Sequence, residues 1–234
     1  MQPTKVQGWD VSLNHAAMVE FTDGIFTNWW FVTLKKNDVK RLKEHALFLP
    51  VGKPDKNDPH PWRIKRLDLW KGLLDDHLLM TVPQYVSLED YAYKAKQQAH
   101  QIGEVGGLAR LACWQAGVKL RLHDPTGPKM YATHNGNIDS DGMEEEVQKR
   151  WDLDFRQYNA SEKNRDVSKD LAPAYALGHL LCTELSLRSG EILMNRLPPK
   201  EIQVFNRCTK RFPTNLLARD FIYNPEGGNC QLTP

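Results

Sequence analysis

The 234-residue chain lacks the features that mark secreted, membrane-spanning or zinc-finger proteins. Its four cysteines (Cys113, Cys182, Cys208 and Cys230) are scattered, without a Cys-x-x-Cys pair or a histidine at zinc-ligand spacing, which gives no support for a disulfide framework or a structural zinc. No run approaches the roughly twenty apolar residues of a membrane helix, and the N-terminus has no apolar core behind a basic start. We therefore expect a cytoplasmic protein without a membrane partner.

The net charge is also low, at +2, but the basic residues are concentrated in two segments. Residues 35–71 carry a net charge of +6 and residues 188–219 one of +5, which leaves −9 on the remainder. An acidic body between basic segments suits a protein that binds phosphates at its edges and a metal at its centre, because counterion release favours Lys and Arg near a polyanion. Solvated helix faces would produce the same counts, so charge alone leaves both interpretations open.

The start of the chain predicts a three-strand meander. Apolar-rich runs over 5–12, 15–21 and 25–34 favour strands, and the Asp-Gly pair between the last two is typical of a tight hairpin turn. The aromatic run from Trp29 to Phe31 would place large rings on both faces of the third strand. This strand is therefore expected to be covered on both sides, with a second subunit as one source of that cover.

The rest of the chain alternates between helices and strands. The basic, proline-rich residues 35–61 are interpreted as a loop insertion. The elements expected after it are a helix over 62–80, a strand over 84–91, a long helix, a strand over 118–122, a turn over 124–128, a helix opened by an Asp141–Glu144 capping box, and a core helix over 170–188 with Asp170 at its N-cap. This order predicts a mixed α/β fold with helices on both faces of the sheet.

Four carboxylates lie at positions that such a fold would bring to one edge of the sheet. Asp10 lies in the first strand, Glu89 near the end of the fourth, and Asp166 and Asp170 at the start of the last core helix. If the first and fourth strands pair in parallel, their acids meet at one edge, where repulsion is relieved by a divalent cation. All-oxygen ligands suit Mg²⁺ or Mn²⁺, which activate water against a phosphate. Taken singly, each acid is equally well explained as a cap or a strand-end residue.

Several short motifs occur in a fixed order between residues 5 and 185. They are Gly8-Trp9-Asp10-Val11-Ser12, Val86-Ser87-Leu88-Glu89-Asp90-Tyr91, Ile102-Gly103-Glu104-Val105-Gly106-Gly107, a stretch with Pro125, Lys129 and Asn135-Gly136-Asn137, and Asp170-Leu171-Ala172-Pro173-Ala174-Tyr175-Ala176-Leu177. In this order and spacing the chain resembles the RuvC-type Holliday junction resolvases, particularly their bacteriophage branch.

The resemblance implies an RNase H-like fold, a homodimer and Mg²⁺-dependent nicking of two strands at a four-way DNA junction, in recombination and repair. It implies a nuclease domain over 1–188, with 189–234 as a partly basic C-terminal extension. By position, Asp10, Glu89 and Asp170 would be metal ligands, with Mn²⁺ as a substitute ion, and Lys129 would meet phosphate or transition-state charge. A bacteriophage protein of this kind would act in the host cytoplasm.

Two positions depart from the family pattern. Pro173 stands where a second terminal acid is usual, and Ser140 stands where a lysine commonly follows the Asn-Gly-Asn loop. Asp166 would supply the missing carboxylate if its loop folded back on the site. These departures favour an alternative function, a junction-binding protein of the same fold with weak or absent catalysis. An actin-like ATPase is disfavoured, because no Gly-rich phosphate loop follows Asp10.

Further DNA contacts are predicted from basic and polar residues outside the acids. Asn135 belongs to the loop motif, and Lys210 and Arg211 precede Phe212, a mixture that suits gripping the backbone and stacking on unpaired bases. The alternative is that the aromatic residues of the extension pack back on the body of the protein.

Overall fold

The computed structural model describes residues 2–52, 58–90, 99–159 and 166–228. Its strands are β1 (Lys5–Val11), β2 (Ala16–Thr22), β3 (Ile25–Thr33), β4 (Ala46–Phe48), β5 (Tyr85–Glu89) and β6 (Lys119–His123). Its α-helices are α1 (Lys36–Leu42), α2 (His60–Thr81), α3 (Ala99–Gln115), α4 (Thr126–Thr133), α5 (Ser140–Trp151), α6 (Asp166–Ser189) and α7 (Pro199–Asn206). Within these described ranges, no helix is long and apolar enough to cross a membrane.

All six strands form one mixed sheet in the order β4-β3-β2-β1-β5-β6. Strands β1 to β3 form the predicted antiparallel meander, whereas β5 pairs in parallel with β1, and β6 with β5. Asp23 and Gly24 both have positive φ angles in the hairpin turn, as a tight primed turn requires. The sheet confirms the predicted α/β class, an RNase H-like meander followed by parallel strands.

The two faces of the sheet carry separate hydrophobic cores. Helices α5 and α6 pack on one face and α2 and α3 on the other, which confirms the expectation of helices on both sides. Trp29 and Phe31 belong to the α6 core and Trp30 to the α2 core, and all three rings are buried. The expected cover on both faces of this strand is confirmed, and the chain itself supplies it.

Helix α6 crosses β1 at a pair of glycines. A Cβ atom added to Gly8 would overlap the carbonyl oxygen of Ala174 and the amide nitrogen of Gly178. A Cβ on Gly178 would lie 2.6 Å from the ring of Phe21. The two backbones therefore touch directly, and this contact fixes the first turns of α6 beside the carboxyl end of β1.

This crossing predicts a large difference between two Gly→Ala variants. Gly8→Ala should lower the free energy of unfolding by about 3 kcal/mol or more, because backbone atoms cannot move aside as a flexible side chain can. Gly72→Ala is the matched control, since Gly72 lies exposed in α2 with open space at its Cβ position. It should leave stability unchanged or raise it by up to about 1 kcal/mol. Urea denaturation measures the free energy of unfolding of both variants. Equal values would contradict the direct backbone contact between α6 and β1 at Gly8.

The interpretation of residues 35–61 as a loop insertion is wrong for most of its length. This segment contains α1 and the edge strand β4, which pairs in parallel with β3, while residues 53–57 lie outside the described residues. Buried Leu42 and Leu49 attach it to the body, and Asp38 accepts a hydrogen bond from Thr33 at 2.9 Å. The lysines in its described part, Lys35, Lys36, Lys40 and Lys43, are exposed.

Two predicted local features also differ in the structure. The expected turn over 124–128 gives way to α4 at Thr126, because Pro125 stands at the N-cap and Pro128 in the first turn, where amides have no intrahelical partner. The Asp141–Glu144 capping box is wrong as well. The N-cap of α5 is Asp139, whose carboxylate accepts the Gly142 amide at 2.9 Å.

The described part of the C-terminal segment, residues 189–228, packs on the body of the protein. This agrees with the alternative in which its aromatic residues pack back on the body rather than stack on bases. Phe205 and Leu216 are buried against Leu180 of α6. Ile222 forms an antiparallel bridge with Leu120, which lengthens the sheet at the β6 edge. Arg219, rather than a base, lies over the ring of Phe212 at 4.3 Å.

Candidate active site

Three acids meet at the carboxyl edge of the sheet. Trp9 of β1 pairs with Leu88 of β5 in parallel register, so Asp10 and Glu89, the next residues, lie side by side at the same edge. Asp170 stands one helical turn before Ala174, which touches Gly8 two residues before Asp10. The structure thus brings Asp10, Glu89 and Asp170 together, and we call these three residues the acidic edge.

The three carboxyl groups disfavour one another's charge. Burial, followed by the charge of Asp170, raises the pKa of Asp10 to about 8. Burial, followed by the charge of Asp10, raises the pKa of Glu89 to about 7. Burial, followed by the charge of Asp166, raises the pKa of Asp170 to about 7. Without a cation, the three carboxyl groups therefore keep their protons to a pH well above the range near 4 where ordinary carboxyl groups release them.

The expectation that Asp170 caps its helix is wrong. Helix α6 begins at Asp166, so Asp170 lies one turn inside and Pro173 stands in the helix interior. No cap interaction occupies the Asp170 carboxylate. Within the described part of the chain, the side chains of Asp10, Glu89 and Asp170 make no hydrogen bond or ion pair, so their oxygens remain open to an external ligand.

Lys129 reaches the acidic edge from α4 rather than from a loop. Its ammonium donates to the carbonyl oxygen of Ile138 at 2.9 Å, which holds the side chain across the following loop. Its positive charge opposes the rise in the pKa values of Asp10 and Glu89. Lys129 is thus a cation that acts electrostatically on Asp10 and Glu89.

Asp166 is the first described residue of α6, and its carboxylate pairs with Lys35 rather than with the acidic edge. Its carboxylate accepts a hydrogen bond from Lys35 at 2.8 Å, and this bond lowers the pKa of Asp166. The idea of a loop that folds back is therefore wrong, because Asp166 is helical. Its charge still acts on Asp170 one turn further along, which places Asp166 at the rim of the acidic edge.

Asp124, which the sequence interpretation treated only as a turn residue, also belongs to this edge. It follows β6, and its charge contributes to the raised pKa of Glu89. One carboxylate oxygen accepts the Thr126 amide at 3.2 Å and lies 3.3 Å from Arg207 of the C-terminal segment. Its position directly after a strand parallel to β5 is the signal that could have identified it.

The residues predicted to contact DNA, Asn135, Lys210 and Arg211, are exposed. Asn135 follows α4, and its side chain accepts the Asn137 amide at 3.1 Å. Lys210 is exposed, and Arg211 forms an ion pair with Asp90, the residue after Glu89. Ser140, where the family pattern has a lysine, is the exposed first residue of α5.

The ligand set predicted from the sequence does not form a closed metal site in this conformation. Among the described residues, no group of three or more His, Cys, Asp or Glu side chains is arranged to hold a metal ion. The acidic edge consists instead of neighbouring carboxyl groups that repel one another and lack internal partners. Their oxygen donors have the chemistry that hard cations such as Mg²⁺ and Mn²⁺ prefer.

Comparisons with known proteins find relatives among junction-resolving enzymes. No protein-family model matches the chain. The crossover junction endodeoxyribonuclease RuvC of Bifidobacterium animalis subsp. lactis (strain AD011) is 30% identical over 163 residues, which are 67% of this chain and 79% of that protein. The Thermus thermophilus RuvC structure superposes with a TM-score of 0.49 and 15% identity over 80% of this chain and 97% of that one. The Fowlpox virus resolvase, solved with a substrate Holliday junction, gives a TM-score of 0.45 and 14% identity over 78% of this chain and 99% of that one.

Proposed function

Since the chain belongs to the RuvC family of crossover junction endodeoxyribonucleases, we propose that it resolves four-way DNA junctions by hydrolysing phosphodiester bonds at the acidic edge. The gathering of Asp10, Glu89 and Asp170 at the carboxyl end of β1 and β5 carries this proposal. Buried like charges without internal partners are costly, and such an arrangement is typical of a functional site rather than of a stabilising one.

The donor set of the acidic edge fits a hard divalent cation. Asp10, Glu89 and Asp170 offer only carboxylate oxygens, and a cation between them would relieve the repulsion that raises their pKa values. We assign Mg²⁺ to these residues, with Mn²⁺ as a substitute and Asp166 at the rim. When bound, such an ion supplies activation of water and stabilisation of phosphate charge.

The remaining side chains of the site would act on the DNA itself. Lys129, held by the Ile138 carbonyl, is placed to stabilise negative charge that develops on the scissile phosphate. Asn135, Lys210 and Arg211 would contact the DNA backbone from exposed positions. In this proposal residues 1–188 form the nuclease domain and residues 189–234 the extension that adds backbone contacts.

A homodimer suits the substrate. A four-way junction has two equivalent strands to cut, and two copies of the chain related by a two-fold axis would present two equivalent acidic edges. The proposal therefore includes paired, symmetric nicks made by a dimer.

The direct test incubates the protein with a synthetic four-way junction and with a linear duplex of the same sequence, at fixed salt, with Mg²⁺, with Mn²⁺ or with EDTA. We expect paired nicks in the junction alone, and only with a divalent ion. A gel shift of the junction without nicks under every condition would support the alternative, a junction-binding protein without catalysis. Equal binding of junction and duplex would contradict both functions.

A further inference from the structure

The C-terminal segment is fixed to the body by buried charged groups. Arg121 of β6 pairs with Glu184 of α6 at 2.6 Å, and both side chains are almost fully buried. The Arg121 guanidinium also donates to the carbonyl oxygens of Arg219 and Asp220 at 2.9 and 3.0 Å. The segment that follows α7 is therefore held in a defined position against the sheet.

The same segment brings an arginine to the acidic edge. Arg207, at the C-cap of α7, has its Nη1 atom 3.3 Å from the Asp124 carboxylate, and the same atom donates to the Thr126 hydroxyl. Asp124 directly follows His123, which pairs with Glu89 in the parallel register of β5 and β6. Arg207 thus stands next to the proposed reaction centre, on its β6 side.

Contacts within the described residues orient the Arg207 guanidinium but occupy only one of its nitrogen atoms. Its side chain is 39% exposed, and both of its polar contacts are made through Nη1. Within the described residues, Nε and Nη2 make no hydrogen bond or ion pair. Since a guanidinium has five N–H donors in a rigid planar fork that matches a phosphate, an arginine held on one side by a carboxylate is ready to bind a phosphate on the other.

A purely structural role explains this ion pair poorly. Exposed ion pairs contribute little to stability, and α7 is already attached through buried Val204 and Phe205. The segment is also strongly basic, and Lys210 lies exposed three residues further on. These features favour a polyanion as the partner of this surface.

We propose that Arg207 binds a backbone phosphate of a junction arm on the β6 side of the acidic edge, and that Asp124 is the positioning residue that orients it. This inference rests on the proposed function and adds a contact from the extension, outside the part of the chain that resembles the family. The contact carries no sequence information, because it is made to a phosphate.

The test measures junction binding in EDTA, without cleavage, as a function of salt concentration. Arg207→Gln should weaken binding roughly tenfold at low salt and reduce the slope of log affinity against log salt by about 1, the value expected for one lost phosphate contact. Lys200→Gln is the matched control, because Lys200 is exposed at the opposite end of α7. It should bind as the wild type does.

Two further variants separate a phosphate contact from a structural ion pair. Arg207→Lys keeps the charge and should keep the wild-type salt slope, with a smaller loss of affinity. Asp124→Asn frees Arg207 without removing its charge and should likewise lower affinity without changing the slope. A wild-type slope in Arg207→Gln would overturn the inference, as would a loss of affinity matched by a lower melting temperature and not recovered by Arg207→Lys. If the wild type itself does not prefer the junction, the proposed function fails instead.

Discussion

Asp10→Asn is expected to reduce junction nicking by about 10³-fold or more while junction binding is retained. Asp10 lies between Glu89 and Asp170 in the acidic edge, and its pKa responds to the charge of Asp170. The amide keeps the size of the side chain but removes the charge, so a cation would lose its central ligand. Nicking of a labelled junction under single-turnover conditions measures the loss, and a gel shift in EDTA measures binding.

Asp68→Asn is the matched control for this experiment. Asp68 undergoes the same chemical change on the exposed surface of α2, away from the acidic edge. It should nick the junction at the wild-type rate. Nicking by Asp10→Asn within a few-fold of that rate would place the reaction elsewhere in the molecule.

The metal-free protein is expected to lose stability as the pH rises from about 6.5 to 8. Asp10, Glu89 and Asp170 keep their protons up to about pH 7 to 8 in the folded state, but release them near pH 4 when unfolded. Because the folded state then binds more protons, the free energy of unfolding falls with rising pH until the folded pKa values are passed. The loss over this window is on the order of a few kcal/mol.

Below pH 6.5 the buried histidines act in the opposite direction. Burial lowers the pKa values of His15, His77, His123 and His179, so the unfolded state binds more protons there and stability increases with pH. This gain ends near the ordinary histidine pKa of 6.5. The histidine contribution fades above pH 6.5, so the carboxyl groups dominate the slope towards pH 8, which is the window to measure by urea denaturation in EDTA.

Divalent ions should reverse this loss at pH 8. A ligand at about 100 times its dissociation constant stabilises the folded state by about 2.7 kcal/mol, which raises the melting temperature by roughly 5–10 °C for a chain of this size. Asp10→Asn should be more stable than the wild type in EDTA at pH 8 and should gain less from Mg²⁺ or Mn²⁺. A pH-independent stability above 6.5, or equal gains from the ions in both proteins, would contradict the acidic edge as a cation site.

The parts of the fold with local signals could be predicted from the sequence. The Asp-Gly turn and the apolar runs predict the meander and the strand β5. Parallel pairing of β1 with β5 then places Asp10 next to Glu89. Helix α4 was missed because Pro125 and Pro128 usually break helices, yet the first turn of a helix tolerates them. Strand β4 was missed because three residues at a sheet edge give almost no periodicity.

The parts of the site that depend on distant contacts could not be found this way. Asp170 reaches the edge only because Gly8 and Gly178 let α6 touch β1, and this contact joins residues far apart in the sequence. The ion pair of Asp124 with Arg207 joins two residues that are separated in the described sequence by four α-helices, α4 to α7. No local pattern specifies such a pair, since it depends on how the C-terminal segment folds back.

The buried pair of Arg121 and Glu184 ties the end of the chain to its middle in a way that affects dynamics. Removal of the residues after Arg188 would leave Arg121 without the carbonyl oxygens of Arg219 and Asp220. Arg121 would keep its ion pair with Glu184, but each buried N–H donor left without an acceptor costs about 1–3 kcal/mol, a noticeable share of the net stability of a typical domain. The segment should therefore not open on its own. Its amide hydrogens that bond to β6 should exchange with solvent only when the whole molecule unfolds, and proteases should find no early cleavage site there.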